Sequence, residues 1–371
     1  MTDRLPLTPL ARLLPDTVPF VGPEAQERTR GRPFRARLGA NENGFGPSPR
    51  VVAAMAEAAG EMWKYCDPDN FDLKSGIAAH LGLQAGNVVI GEGIDGLLGL
   101  TVRLFVREGD AVVTSLGAYP TFNYHVAGFG GRLVTVPYRD DREDLGALLD
   151  AVRRENAPLV YLSNPDNPMG SWWAASEIEA FFEALPETTI LILDEAYGET
   201  APPDALPAID VSRPNLVRMR TFSKAYGLAG LRCGYAIGHP DTIRVFEKVR
   251  NHYGMNRMAQ AGCLAALHDQ DYLAGIVART AAGRHRIAEI ATGHGLKPLP
   301  AATNFVAIDC GRDGAFALKV MQELLARDVF VRKPMVPVLD RTVRISVGPE
   351  AEIDLFEAAF GPALEAARQS S

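Results

Sequence analysis

The chain has 371 residues, 47% of them hydrophobic and 22% charged, with a formal net charge of −7. That length supports a large buried core and two or three domains. The acidic balance argues against a nucleic-acid-binding protein, which presents a basic face, and basic pairs such as Arg153-Arg154 read as solvated helix surface. The four cysteines, Cys66, Cys233, Cys263 and Cys310, contain no Cys-x-x-Cys pair, so neither a zinc knuckle nor a disulfide framework is expected. Met1 to Pro15 carries Pro6 and Pro9 and lacks the apolar core of a signal peptide. No apolar run is long enough to span a membrane, and a cytoplasmic protein is expected.

From about residue 85 to 240, short apolar runs alternate with helical patterns. The strand candidates are Asn87–Ile90, Ala111–Ser115, Leu133–Val136, Leu159–Ser163, Thr189–Asp194, Leu216–Phe222 and Gly234–Ile237. Several are unbroken Val/Ile/Leu runs, which suits strands buried on both faces. Helices are predicted over Ile94–Phe105, Leu145–Arg154 and Ser176–Leu185. The alternation indicates an α/β protein with an open, mostly parallel sheet. Functional groups then belong at the carboxyl ends of the strands. Two long helical stretches follow, Asp241–His268 and Tyr272 to about Gly293. After a break at Gly293, Gly295 and Pro298 comes a smaller α/β unit. It comprises strand Asn304–Asp309, helix Ala315–Arg327, strands Val329–Arg332 and Val343–Val347, and helix Glu350–Arg368.

The richest stretch is Thr221-Phe222-Ser223-Lys224-Ala225-Tyr226-Gly227, followed by Arg232. A lysine at a strand end, desolvated and near a cation, has a lowered pKa. Neutral amines condense with carbonyls, while hydroxyls and an arginine suit a phosphate monoester. An aldehyde that carries a phosphate is a description that pyridoxal 5'-phosphate meets. Gly91-Glu92-Gly93-Ile94-Asp95-Gly96 has the dinucleotide-site spacing. The next strand, however, ends Val113-Thr114-Ser115-Leu116-Gly117 without the acid such a site needs. What remains is a glycine turn that feeds a helix N-terminus, which suits one phosphate.

Asn164-Pro165-Asp166-Asn167-Pro168-Met169-Gly170 composes a turn at a strand end, where Asn167 can donate to a phenolate oxygen. Asp194 closes an apolar strand, either as a helix cap or facing a pyridinium nitrogen that makes the ring an electron sink. Tyr197 can reach the phenolate beside Asn167. Of Tyr119, Phe122 and Tyr124, Phe122 is the candidate for stacking on a flat ring. Arg344 interrupts an apolar strand and needs a partner, either a structural acid or a substrate carboxylate. Asp67-Pro68-Asp69-Asn70-Phe71-Asp72 lacks the glycine of a calcium loop. The histidines have no zinc spacing, and no metal is expected.

On these motifs, from Leu38-Gly39-Ala40-Asn41-Glu42-Asn43 to the Arg344 strand, the chain resembles the fold-type I pyridoxal-phosphate-dependent aminotransferases. It most resembles their histidinol-phosphate aminotransferase branch. The resemblance implies fold type I: a large cofactor-binding domain over residues 41–270 with a mostly parallel seven-stranded sheet, and a small α/β domain over 271–371. Residues 1–40 would pack on the small domain or on a partner subunit. It also implies that Lys224 is the Schiff-base lysine, Asp194 the pyridine partner, Asn167 and Tyr197 the phenolate donors, and Phe122 the stacking ring. Ile94 and Asp95 backbone, the Thr221 and Ser223 hydroxyls and Arg232 resemble the phosphate cup.

Tyr65 resembles the tyrosine that reaches the neighbouring subunit's phosphate, which implies a homodimer with shared sites. Arg344 matches the α-carboxylate clamp, and Arg332 lies near the substrate-phosphate position. The family usually has Ser-Asp-Glu at Ile94-Asp95-Gly96, Thr at Met169 and Pro at Cys66. The implied reaction moves an amino group from histidinol phosphate, or from an aromatic or neutral amino acid, to 2-oxoglutarate. A decarboxylase of the same fold is the alternative. A regulator is disfavoured because the chain has no DNA-binding segment.

Overall fold

The computed structural model describes residues 5–16 and 21–369, so parts of the expected N-terminal segment (residues 1–4 and 17–20) lie outside it. The strands in chain order are β1 (Ala36–Arg37), β2 (Val88–Gly91), β3 (Ala111–Ser115), β4 (Arg132–Val136), β5 (Leu159–Ser163) and β6 (Ile190–Asp194). They continue with β7 (Leu216–Thr221), β8 (Gly234–Gly238), β9 (Lys297–Pro298), β10 (Phe305–Asp309), β11 (Val329–Phe330) and β12 (Thr342–Ser346). Seven form one sheet in the order β2-β8-β7-β6-β5-β3-β4. Only β8 runs antiparallel to its neighbours there. The α/β class and the mostly parallel seven-stranded sheet are as the sequence predicts.

The apolar runs follow from two-sided burial. Alternate side chains of a strand point to opposite faces. Val112, Leu159, Tyr161 and Ile192 pack with Leu97, Leu98 and Val102 of helix Gly93–Phe105. Val113, Val160, Leu191 and Leu193 pack on the other face with Leu148, Val152, Ile178 and Phe181. β4 is the edge strand, and its exposed Arg132 and Thr135 reflect one-sided cover.

The C-terminal unit holds an antiparallel sheet, β12-β10-β9. It packs with helices Gly314–Ala326 and Glu350–Gln369 and with Ile287 and Ile290 of helix Gln270–Gly293. β1 adds to it in parallel register with β11, and the Leu38 carbonyl accepts from Ser346 N at 2.8 Å. The N-terminal strand thus belongs to the small unit's packing.

One expectation is corrected. The stretch Asp241–His268 is not one helix. Helix Pro240–Arg244 passes into a 3₁₀ turn, Val245–Lys248, and a new helix begins at Arg257. Between them Gly254 N donates to the Asn251 carbonyl, and the Asn256 side chain caps Ala259 N at 2.8 Å. An Asn at that position ends one helical run and starts another. Among the described residues, no helix is long and apolar enough to cross a membrane, and no group of three or more His, Cys, Asp or Glu is placed to hold a metal.

Candidate active site

The carboxyl ends of β2, β5, β6 and β7 meet at one edge of the large sheet, where β8 enters from the opposite direction. Gly234, the first residue of β8, pairs with both Gly91 and Thr221. A Cβ there would stand 2.8 Å from Ile94 N and 2.9 Å from the Gly93 carbonyl carbon. Gly93 has φ +73°, and a Cβ on it would stand 2.5 Å from the Arg232 guanidinium. Two glycines therefore let the N-terminus of helix Gly93–Phe105 close onto Arg232. Free backbone N–H groups at such a terminus attract an anion.

Around that terminus the polar groups converge. Thr221 Oγ1 and Ser223 Oγ lie 2.9 Å apart, and Ser223 N donates to Thr221 Oγ1 at 3.1 Å. Arg232 donates to Ser223 Oγ at 3.4 Å and to Asp95 Oδ2 at 3.2 Å. Tyr119 donates its hydroxyl to Asp95 Oδ1 at 2.7 Å. A cavity of about 300 Å³ opens beside them, lined by Ile94, Asp95, Asn167, Asp194, Tyr197, Thr221, Ser223, Lys224 and Arg232 among others.

Lys224 projects into this cavity from the residue after Ser223. Its Nζ makes one described hydrogen bond, a long one of 3.4 Å to the Asn41 carbonyl. Burial, followed by the Arg344 charge, pulls its pKa down to about 8. Asp194 is buried at the end of β6, where Tyr161 donates to Oδ2 at 2.7 Å and Ala196 N to Oδ1 at 2.9 Å. Burial raises its pKa to about 6. The Tyr197 hydroxyl accepts from Asn41 Nδ2 at 2.9 Å.

Arg344 lies behind the cavity rim, donates to Asn167 Oδ1, and carries its charge 5.0 Å above the Phe305 ring. Its buried Nε has no hydrogen-bond partner among the described residues. Burial pulls its pKa down to about 10.

One site expectation is corrected. Phe122 does not line the cavity. It is fully buried, with its ring stacked on Tyr161 at 4.7 Å inside the core. Tyr119 and Tyr161 stand on the wall instead. Tyr119 precedes Pro120 at the start of helix Pro120–Gly128, so it stays at the strand-end surface, whereas Phe122 turns inward with the helix's apolar side. Tyr65 is 80% exposed, off this chain's own cavity, with its ring 5.0 Å from that of Tyr253. Arg332 bridges to Arg344 backbone to backbone and donates a side-chain hydrogen bond to the Val21 carbonyl at 2.8 Å. Met169 is buried with Leu299, Ala307 and Leu339, where its methyl-bearing chain is core.

Asn41 is a residue whose role the sequence does not disclose. Its carbonyl accepts from Lys224 and Asn304, its amide donates to Tyr197, and Ser346 hydrogen-bonds it as well. A φ of +55° holds it there, a conformation Asn tolerates better than most residues. The surviving signal is its place in Asn41-Glu42-Asn43.

The donor chemistry fits pyridoxal 5'-phosphate. An amine of lowered pKa has no close carboxylate partner among the described residues, a buried carboxylate faces the same space, and hydroxyls, a guanidinium and a helix N-terminus sit at one end.

The chain matches the family described as aminotransferase class I and II over residues 36–360. It is 37% identical over 337 residues to histidinol-phosphate aminotransferase 1 of Mesorhizobium japonicum, covering 89% of this chain and 90% of that one. It is also 37% identical over 371 residues to histidinol-phosphate aminotransferase of an Anaeromyxobacter species, covering 98% and 100%. A crystal structure of histidinol-phosphate aminotransferase from Sinorhizobium meliloti, in complex with pyridoxal-5'-phosphate, superposes with a TM-score of 0.95. That pair shares 58% identity, with 99% of this chain and 98% of the other covered.

Proposed function

The chain belongs to the class I and II aminotransferases and is a pyridoxal-phosphate-dependent transaminase, and on that premise we propose that it moves an amino group from histidinol phosphate to 2-oxoglutarate. The carrying observation is that Lys224 and Asp194 face one cavity, behind which lies the Arg344 Nε, buried without a hydrogen-bond partner among the described residues. Relatives named for histidinol phosphate support the donor.

The chemistry that the cofactor supplies when bound is withdrawal of electrons, through a protonated ring, from the bond being broken. Thr221, Ser223, Arg232 and the Ile94 and Asp95 backbone hold its phosphate at the helix terminus. Asp194 holds the proton on the ring nitrogen, and Tyr161 and Ala196 N keep that carboxylate oriented. Asn167 and Tyr197 donate to the phenolate oxygen. Tyr119 or Tyr161, on the wall, flanks the ring.

Lys224 Nζ carries the covalent attachment between turnovers. Freed by the donor's amine, it would take the proton from the donor's Cα and give it back across the intervening nitrogen, at the cofactor's aldehyde carbon, as base and then acid. Its lowered pKa suits both roles near neutral pH. Arg344 grips the anionic group of each substrate in turn with a planar pair of N–H groups. Arg332, bridged to it, adds positive charge toward the donor's phosphate.

Two copies complete each site. Tyr65 reaches the partner's phosphate cup, and the exposed Met62, Trp63, Tyr65, Phe71 and Tyr253 support an interface there. The four cysteines are free and buried, which suits a reducing cytoplasm.

The test is product analysis with purified enzyme, histidinol phosphate and 2-oxoglutarate. Glutamate formed one for one with the oxidised donor is expected. Carbon dioxide released from a phosphorylated amino acid without any oxo acid would overturn transamination. Glutamate from aromatic amino acids but not from histidinol phosphate would overturn the donor.

A further inference from the structure

Two carboxylates lie buried just behind the cavity wall, and every hydrogen-bond partner described for them is neutral. Glu143 is 1% exposed and Asp166 is 2% exposed. Glu143 Oε2 lies 2.6 Å from Ser115 Oγ at the end of β3, while Oε1 accepts from Ser163 N at 3.0 Å and lies 3.1 Å from Ser163 Oγ at the end of β5. The same Ser163 Oγ lies 3.3 Å from Asp166 Oδ1, which also accepts from the Tyr138 hydroxyl at 2.7 Å. Asp166 Oδ2 accepts from Met169 N at 2.9 Å. One hydroxyl thus stands between two carboxylates and has one proton to give.

Both groups cannot stay ionised there. Burying an unpaired charge costs several kcal/mol, and like charges that share a site force one to keep its proton. Burial pushes both pKa values up, and the Asp166 charge pushes Glu143 further. Asp166 is the better anion, since Tyr138 and Met169 N both donate to it. The other groups facing the pair are Tyr161, whose hydroxyl is committed to Asp194, Tyr197, whose hydroxyl burial and the Asp194 and Asp166 charges keep protonated, and Arg344, whose charge favours ionised Asp166.

We propose that Glu143 and Asp166 share one proton through the Ser163 hydroxyl, and that this pair is a positioning element for the substrate-binding arginine. Glu143 donates to a serine oxygen, Ser163 donates to Asp166, and a single negative charge results. That charge sits one residue from Asn167, whose Oδ1 accepts from Arg344. Asp166 also fixes the turn that carries Asn167, through Met169 N and through its own carbonyl, which accepts from Gly170 N at 3.1 Å. Loss of the shared proton adds a second negative charge on that side. Arg344 is then drawn toward the turn and away from the substrate. This positioning role rests on Arg344 as the anion clamp, whereas the shared proton itself does not.

The test uses the Glu143→Gln variant, which keeps the shape, supplies a donor and cannot ionise. The infrared difference spectrum of wild type minus Glu143→Gln near neutral pH should show the C=O band of a protonated carboxyl, the subtraction removing any band from Glu199, whose pKa burial raises to about 7. KM for a 2-oxo acid, whose carboxyl does not titrate above about pH 5, is then followed from neutral to alkaline pH. Wild type should show a several-fold rise that Glu143→Gln lacks, while the pH dependence of kcat keeps its shape in both.

Absence of the infrared band overturns the shared proton. An unaltered KM profile in Glu143→Gln overturns the positioning role, provided that Arg344→Lys raises KM for the oxo acid. If Arg344→Lys leaves that KM unchanged, the clamp assignment and the positioning role both fail, and the infrared band alone decides the shared proton.

Discussion

Replacing Arg344 probes whether the arginine behind the cavity rim grips the substrate. Its Nε is buried with no hydrogen-bond partner among the described residues, and its described side-chain hydrogen bond goes to Asn167. Much of its desolvation cost is therefore already met before substrate arrives, and two charge-assisted hydrogen bonds to an anion are left to form. Each is worth about 1.5–3 kcal/mol. Arg344→Lys keeps the charge but loses the planar fork, so about one bond is lost, or roughly 10- to 100-fold in kcat/KM. Arg344→Gln loses the charge as well and should cost about 10²- to 10⁴-fold. The assay is rapid-mixing kinetics of the half-reaction with a 2-oxo acid, beside an aldehyde of the same chain that lacks the carboxylate. The losses should fall on the oxo acid and spare the aldehyde. Equal losses on both would refute the clamp and leave Arg344 a structural residue.

Asp194 has a pKa raised to about 6 by burial, so its carboxylate is present above that pH and protonated below. Turnover should fall as pH drops through about 6, and Asp194→Asn should lose that limb with a kcat about 10²- to 10⁴-fold lower, read from pH–rate profiles. Gly234→Ala puts a Cβ 2.8 Å from Ile94 N; overpacking of about 1–3 kcal/mol should weaken cofactor binding, measured by spectral titration. Glu195 is fully buried and bonded to Arg218 at 2.5 Å and Arg220 at 2.8 Å. Although burial pushes its pKa up, the two arginines hold it below the usual range. Glu195→Gln leaves both arginines short of charge and should lower unfolding stability by about 3–5 kcal/mol, read by denaturant titration. The wild-type contribution should disappear as acid protonates Glu195.

The large sheet is legible because two-sided burial leaves unbroken apolar runs, as in β5 and β6. Its functional edge is legible because Lys224, Asp194 and Asn167 each stand at or just past a strand end. Phe122 is misread because the aromatic cluster straddles Pro120. Which ring faces the cavity depends on the turn into the helix, and composition does not encode that turn. Asn41 escapes because its role lies in a left-handed backbone and in contacts with Tyr197 and Ser346, each more than 150 residues away. Helix Asp241–His268 is overextended because apolar spacing continues across the Asn251–Asn256 turn. Glu143 gives no sequence signal either, since nothing near it in the chain marks it as a buried neighbour of Asp166.

Borohydride reduction of the enzyme purified with pyridoxal 5'-phosphate, followed by peptide mapping, tests the central claim most directly. A pyridoxyl group on Lys224, with none retained by Lys224→Ala, is the expected result. The label on another lysine, or full turnover by Lys224→Ala, would contradict the account.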